Sequence, residues 1–107
     1  MCLHIHFRVF GKVQKVFFRK STVEKARSLE IVGYVRNLKD GSVQGEAFGK
    51  ENEISIFKNW LENEGSPDSK IERVCYEFCR KVDGKYKFDQ FYLRKINGQG
   101  QIRDIVV

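Results

Sequence analysis

Apolar residues in this chain recur first with period two and then at helical spacing, and the order in which the two periods alternate admits few folds. Leu3, Ile5, Phe7 and Val9 alternate with His4, His6, Arg8 and Phe10, as in a strand with one buried face. Gly11 ends that run and a short basic loop follows. Phe18, Thr22, Ala26 and Leu29 then recur at helical spacing, which predicts a helix over about 18–29. Residues 31–38 and 42–48 read as two strands joined at Asp40-Gly41, because a tight turn needs positive φ and glycine adopts it without steric cost. Asn52 is a candidate N-cap for a second helix. Its apolar stripe is Ile54, Phe57, Trp60 and Leu61, all expected in the core, and Gly65 and Pro67 stand where it should stop. Residues 71–78 predict a fourth strand, and after a turn at Asp83-Gly84 about 86–95 predict a fifth. The order predicts an α+β fold, a ferredoxin-like βαββαβ sandwich with two helices on one face of an antiparallel sheet. The tail from 96 to 107 is broken by glycines and ends Ile105-Val106-Val107, with no pattern that places it.

The 107 residues suffice for one domain and one core. No apolar run approaches the length of a membrane span, and the first six residues lack the basic start and long apolar stretch of a signal peptide. Three cysteines are an odd number, and Cys75 and Cys79 match neither a zinc pair nor a redox pair. On a strand they would stand about 13 Å apart, too far for a disulfide. These features predict a reduced, cytoplasmic protein. His4 and His6 share the open face of the first strand and are expected to be solvated rather than metal-bound. The net charge of +6 is unevenly placed: residues 1–40 hold nine basic and three acidic side chains, residues 41–107 eleven of each. An anionic partner near the first 40 residues is therefore expected, either a small phosphate or a nucleic acid.

The start of the first helix is where this charge concentrates. Lys12, Lys15, Arg19 and Lys20 surround the positive end of the helix dipole, where each cation is disfavoured by roughly 0.3–1 kcal/mol. No Ser, Thr, Asp or Asn is present to cap it, and the longer Gln14 is a poor substitute. Such an end is badly built for itself and well built for an anion, on which backbone N–H groups and cations converge. Arg19 is the leading cation. In the first helical turn its side chain leans back over the loop, and its planar fork can hold two phosphate oxygens.

The same loop, Gly11-Lys12-Val13-Gln14-Lys15-Val16-Phe17-Phe18-Arg19, resembles the first signature of the acylphosphatase family. The second signature appears as Gly33-Tyr34-Val35-Arg36-Asn37-Leu38-Lys39-Asp40-Gly41-Ser42-Val43, with Gly49 at the expected distance. Trp60-Leu61 and Gly65-Ser66-Pro67 also look like the family's second helix and the loop after it. The resemblance covers about residues 5–95. It implies a domain over 1–95 followed by an extension over 96–107, and hydrolysis of a small acyl phosphate to carboxylate and inorganic phosphate. By the same resemblance Arg19 and the backbone of Gln14, Lys15, Val16, Phe17 and Phe18 bind the phosphate, and Asn37 orients the attacking water. No metal, cofactor, protein nucleophile, membrane or nucleic acid is implied, and a monomer is expected.

Lys15 departs from the family pattern, which has glycine there. If the backbone needs positive φ at that position, lysine costs roughly 1–2 kcal/mol and weakens turnover; alternatively its ammonium adds a phosphate contact. Two other functions compete. A non-catalytic anion-binding domain of the same family would keep the loop without turnover. An RNA-binding module would share the element order, but strand three offers only Phe48 as a stacking platform.

Overall fold

The computed structural model describes residues 2–82 and 88–106. It contains β1 (Cys2–Lys12), α1 (Phe18–Ser28), β2 (Val32–Asn37), β3 (Val43–Lys50), α2 (Glu51–Asn63), β4 (Lys70–Val82), β5 (Phe91–Ile96) and β6 (Ile102–Ile105). One six-stranded sheet runs in the order β4-β1-β3-β2-β5-β6. Each of the first four strands in that row is antiparallel to its neighbours among them, as the ferredoxin-like reading requires.

Beyond those four strands the sheet is mixed. β5 lies parallel to β2, with Gly33 opposite Phe91 and Val35 opposite Leu93. Here β4 ends at one side of the row and β5 joins beyond β2 on the other. The expected Asp83-Gly84 turn lies outside the described residues. The tail contributes β6, which pairs antiparallel with β5 from Leu93–Ile105 to Ile96–Ile102.

Alternation in β1 sends Ile5, Phe7 and Val9 into the core beneath both helices, all fully buried. The ring of Phe7 packs edge-on against Phe57 at 5.6 Å, and Phe57 meets Phe91 at 6.1 Å. Gly45 makes room for this contact, because a Cβ there would stand 2.5 Å from the Phe7 ring. The α2 stripe of Ile54, Phe57, Trp60 and Leu61 is buried as predicted. Asn52 is not its cap: the helix begins at Glu51, directly from β3, and Glu51 and Glu53 meet the dipole with negative charge instead. Gly65, at φ 66°, closes the helix by donating its amide to the Trp60 carbonyl at 2.9 Å.

The histidines are not solvated. His4 stacks on Phe48 at 3.8 Å with its Nε2 2.9 Å from Glu46 Oε1, and Phe78 abuts its edge. His6 receives the side-chain amide of buried Gln44 at 2.8 Å. Phe88, on the segment leading into β5, packs on Tyr34 and Phe48 and covers this face. Burial lowers the pKa of His4 below its ordinary 6.5, outweighing the Glu46 carboxylate beside it, and Arg80 and His6 add to the lowering. The unfolded chain therefore takes up a proton at His4 first. Stability declines as pH falls through 6.5, and the loss is complete below the folded-state pKa. Thermal melts at pH 7.5 and 5.5 should show a larger drop for the wild type than for His4→Gln. Equal drops would exclude His4 as the source.

Candidate functional site

The loop from 13 to 17 is pinned at both ends. Val13 and Val16 point inward and are buried, and the Gln14 side chain donates to the carbonyls of Leu38 and Ser42 at 2.8 and 2.9 Å. Gln14 thus ties the loop to the β2–β3 turn, which forms as expected, with Gly41 at φ 94° and the Leu38 amide on the Ser42 carbonyl. Asp40 stiffens that turn by accepting from the Ser42 amide at 2.9 Å and pairing with Arg8.

Between its anchors the loop takes an uncommon path. Lys15 has φ 60° and Phe17 φ 57°, both left-handed and neither glycine. Each costs roughly 1–2 kcal/mol. The reversals carry the chain into α1 with Phe17 as the residue before the helix, no side-chain cap and no acid in the first turn. The helix start therefore has the uncapped, positive character its sequence foretold. Lys15→Gly relieves one left-handed residue, offset in part by the greater freedom of glycine in the unfolded chain. A net gain of roughly 0.5–1 kcal/mol, or about 3–6 °C in Tm, is expected; an unchanged or lower Tm would show that the lysine side chain compensates the strain.

A cleft of about 370 Å³ opens here, lined by Val13, Lys15, Phe17, Phe18, Arg19, Lys20, Asn37 and Leu93. Arg19 and Asn37, 18 positions apart in sequence, share it because the helix start and the end of β2 lie side by side. Arg19 is partly buried and has no hydrogen-bond or ion-pair partner among the described residues. Burial lowers its pKa. The Asn37 Oδ1 is buried and also lacks a partner. Phe17 is 75% exposed at the rim. Of the predicted residues, Gln14 and Val16 do not line the cleft. Val13, Lys20 and Leu93 line it without having been singled out as site residues. Lys20 was legible as part of the charge cluster, whereas Leu93 arrives from β5 and carried no sequence signal. A depression of about 350 Å³ at the other end of α1 is lined by Glu30 and Glu53 as well as Lys50, and is no seat for an anion.

Among the described residues no three His, Cys, Asp or Glu side chains group in a way that could hold a metal ion. No helix among them is long and apolar enough to cross a membrane.

Known proteins resemble this chain in sequence and in fold. The family described as acylphosphatase matches residues 5–91. Acylphosphatase-2 of Meleagris gallopavo is 39% identical over 90 residues, covering 84% of this chain and 86% of that protein. The solved structure of an acylphosphatase from Coxiella burnetii superposes with a TM-score of 0.75 at 39% identity, covering 87% and 93% of the two chains. That of the acylphosphatase from Bacillus subtilis gives 0.75 at 30% identity, covering 83% and 94%. With both signature segments meeting in one cleft and relatives this similar along most of its length, the chain belongs to the acylphosphatase family of hydrolases.

Proposed function

We propose that this protein hydrolyses small acyl phosphates to a carboxylate and inorganic phosphate in the cleft between α1 and the end of β2. One observation carries the reading: an arginine without a counter-charge among the described residues and an asparagine whose Oδ1 is buried without a partner line the same cleft. Each lacks what the other half of a bound substrate and water would supply. The amides of residues 14–18 and the Arg19 fork receive the phosphate oxygens, and the helix dipole adds to their pull. Asn37 Oδ1 accepts a hydrogen bond from a water and turns its lone pair toward phosphorus. The water oxygen bonds to phosphorus, the bond from phosphorus to the acyl oxygen breaks, and the carboxylate leaves with that electron pair. The water proton passes to a phosphate oxygen. Because a carboxylate is a good leaving group, positioning and charge stabilisation carry most of the acceleration, and no step calls on a metal, a cofactor or a protein nucleophile. Residues 1–95 form the catalytic unit in this reading, acting as a monomer.

Two further features support it. The aromatic face of the sheet, which an RNA-binding module would need open, is packed: Tyr34 and Phe48 are 5% and 7% exposed. Cys75 and Cys79 are exposed thiols, in keeping with a reducing compartment such as the cytoplasm. The test is release of phosphate from benzoyl phosphate with a chelator present. Turnover at the unchelated rate is expected. Binding of inorganic phosphate without turnover would make the chain a non-catalytic anion-binding member, and a rate that falls with chelator would exclude the mechanism.

A further inference from the structure

The family match ends at residue 91, but the fold does not. β5 continues past its pairing with β2, turns at residues 97–100 and returns as β6. The turn is well made. Asn97 donates its amide to the Gln101 carbonyl at 3.0 Å, its Oδ1 accepts from the amides of Gln99 and Gln101 at 2.9 Å each, and Gly100 takes φ 81°. It faces the β2–β3 turn across a cleft of about 430 Å³. Arg36, Asn37, Leu38 and Lys39 form one wall, and Ile96, Asn97, Gly98 and Gly100 the other. Asn37 lines this cleft and the phosphate cleft alike, so the two meet at the residue that orients the water.

The charge in the second cleft is one-sided. Among the described residues no carboxylate lines it, and neither Arg36 nor Lys39 has an acidic partner. Asp40 is taken by Arg8 and Ser42, and Asp104 by both nitrogens of an Arg94 fork at 2.8 and 3.0 Å. Arg36 is also oriented in advance. Its Nε donates to Gln44, which is buried and donates in turn to Tyr34 Oη at 3.0 Å and to His6. The terminal nitrogens of the guanidinium remain for a ligand. Between the two cations, Leu38 and Ile96 offer apolar surface.

Resting on the functional reading above, we propose that this second cleft is an acyl-group subsite selecting acyl phosphates whose acyl chain ends in another carboxylate. With phosphate on Arg19, the acyl chain crosses Asn37, its methylenes lie on Leu38 and Ile96, and its carboxylate meets Arg36 and Lys39. The probes are succinyl phosphate and butyryl phosphate, equal in chain length and different in that one charge. Wild type prefers succinyl phosphate by kcat/KM. Lys39→Gln and Arg36→Met each lower kcat/KM on succinyl phosphate about fivefold and leave butyryl phosphate within about twofold. Raising ionic strength narrows the wild-type preference. A wild-type ratio of one or less, or variants that slow both substrates equally, would overturn the subsite. A readout independent of turnover separates this failure from that of the catalytic reading. Succinate, but not butyrate, shifts the amide resonances of Lys39, Gly98 and Gly100 in wild type and in Arg19→Ala, and the shifts vanish in Lys39→Gln. If the enzyme turns over neither substrate but these shifts appear, the cleft stands as a dicarboxylate site and the mechanism falls. If they do not appear, the subsite falls.

Discussion

Arg19→Ala lowers kcat/KM for benzoyl phosphate by roughly 10²–10⁴-fold and leaves Tm within about 2 °C of wild type. The kinetic loss follows from the bonds removed. A guanidinium on phosphate makes two charge-assisted hydrogen bonds, each contributing on the order of 1.5–3 kcal/mol, and every 1.4 kcal/mol is a factor of ten. The small change in stability follows from what Arg19 does not touch, for it has no hydrogen-bond or ion-pair partner among the described residues. Inhibition by inorganic phosphate should weaken in step, because in the proposed mechanism the same fork holds the product. Arg19→Lys should recover only part of the loss, since a single ammonium cannot span two oxygens at once. A variant that kept wild-type affinity for phosphate while folded would remove Arg19 from the site.

Asn37→Ala separates turnover from binding. Here kcat falls by roughly 10²–10³-fold, the range seen when one positioned polar group is removed from a reacting centre, while KM and phosphate inhibition stay within about threefold. In the proposed mechanism the asymmetry arises because Asn37 Oδ1 meets the water and not the phosphate. Stability gives an independent check. A buried acceptor without a partner costs roughly 1–3 kcal/mol in the empty protein, so its removal should leave Tm unchanged or raised, despite the lost side-chain volume. Steady-state kinetics alongside thermal melts decide the matter. Equal losses in kcat and in phosphate affinity would make Asn37 a binding group, and a large drop in Tm would make it a structural one.

The sequence carried further at some places than at others, and the difference is physical. Helix α1 was legible to within a residue or two, from 18–29 expected to Phe18–Ser28 observed, because period and the lack of a cap are local properties. The Asp40-Gly41 turn was legible for the same reason. Asn52 misled because Asn is a common cap, yet here α2 grows straight out of β3, with Lys50 at the cap position, two residues earlier. The histidines misled in a different way. Alternation placed them on the outer face, but whether that face meets water depends on a segment more than 80 positions away, where Phe88 seals Phe48 and Tyr34.

Lys15 shows the boundary within a single residue. That a lysine stands where the family has glycine is a fact of the sequence, as is the conditional cost of a left-handed backbone. That the backbone does turn left-handed there, at φ 60°, is decided by Val13 and Val16 entering the core and by Gln14 reaching the neighbouring turn.

By itself the sequence determined the order of elements, the buried faces of β1 and α2, the excess positive charge before α1 and the uncapped helix end that an anion would satisfy. These depend on neighbours a few positions apart, where spacing and side-chain chemistry suffice. Tertiary structure alone decided that β5 lies parallel beside β2, that the tail returns as β6, and that Leu93 joins Asn37 and Arg19 in one cleft. Such contacts join residues distant in sequence, and which distant partners meet is settled by the burial and backbone pairing available to the whole chain at once.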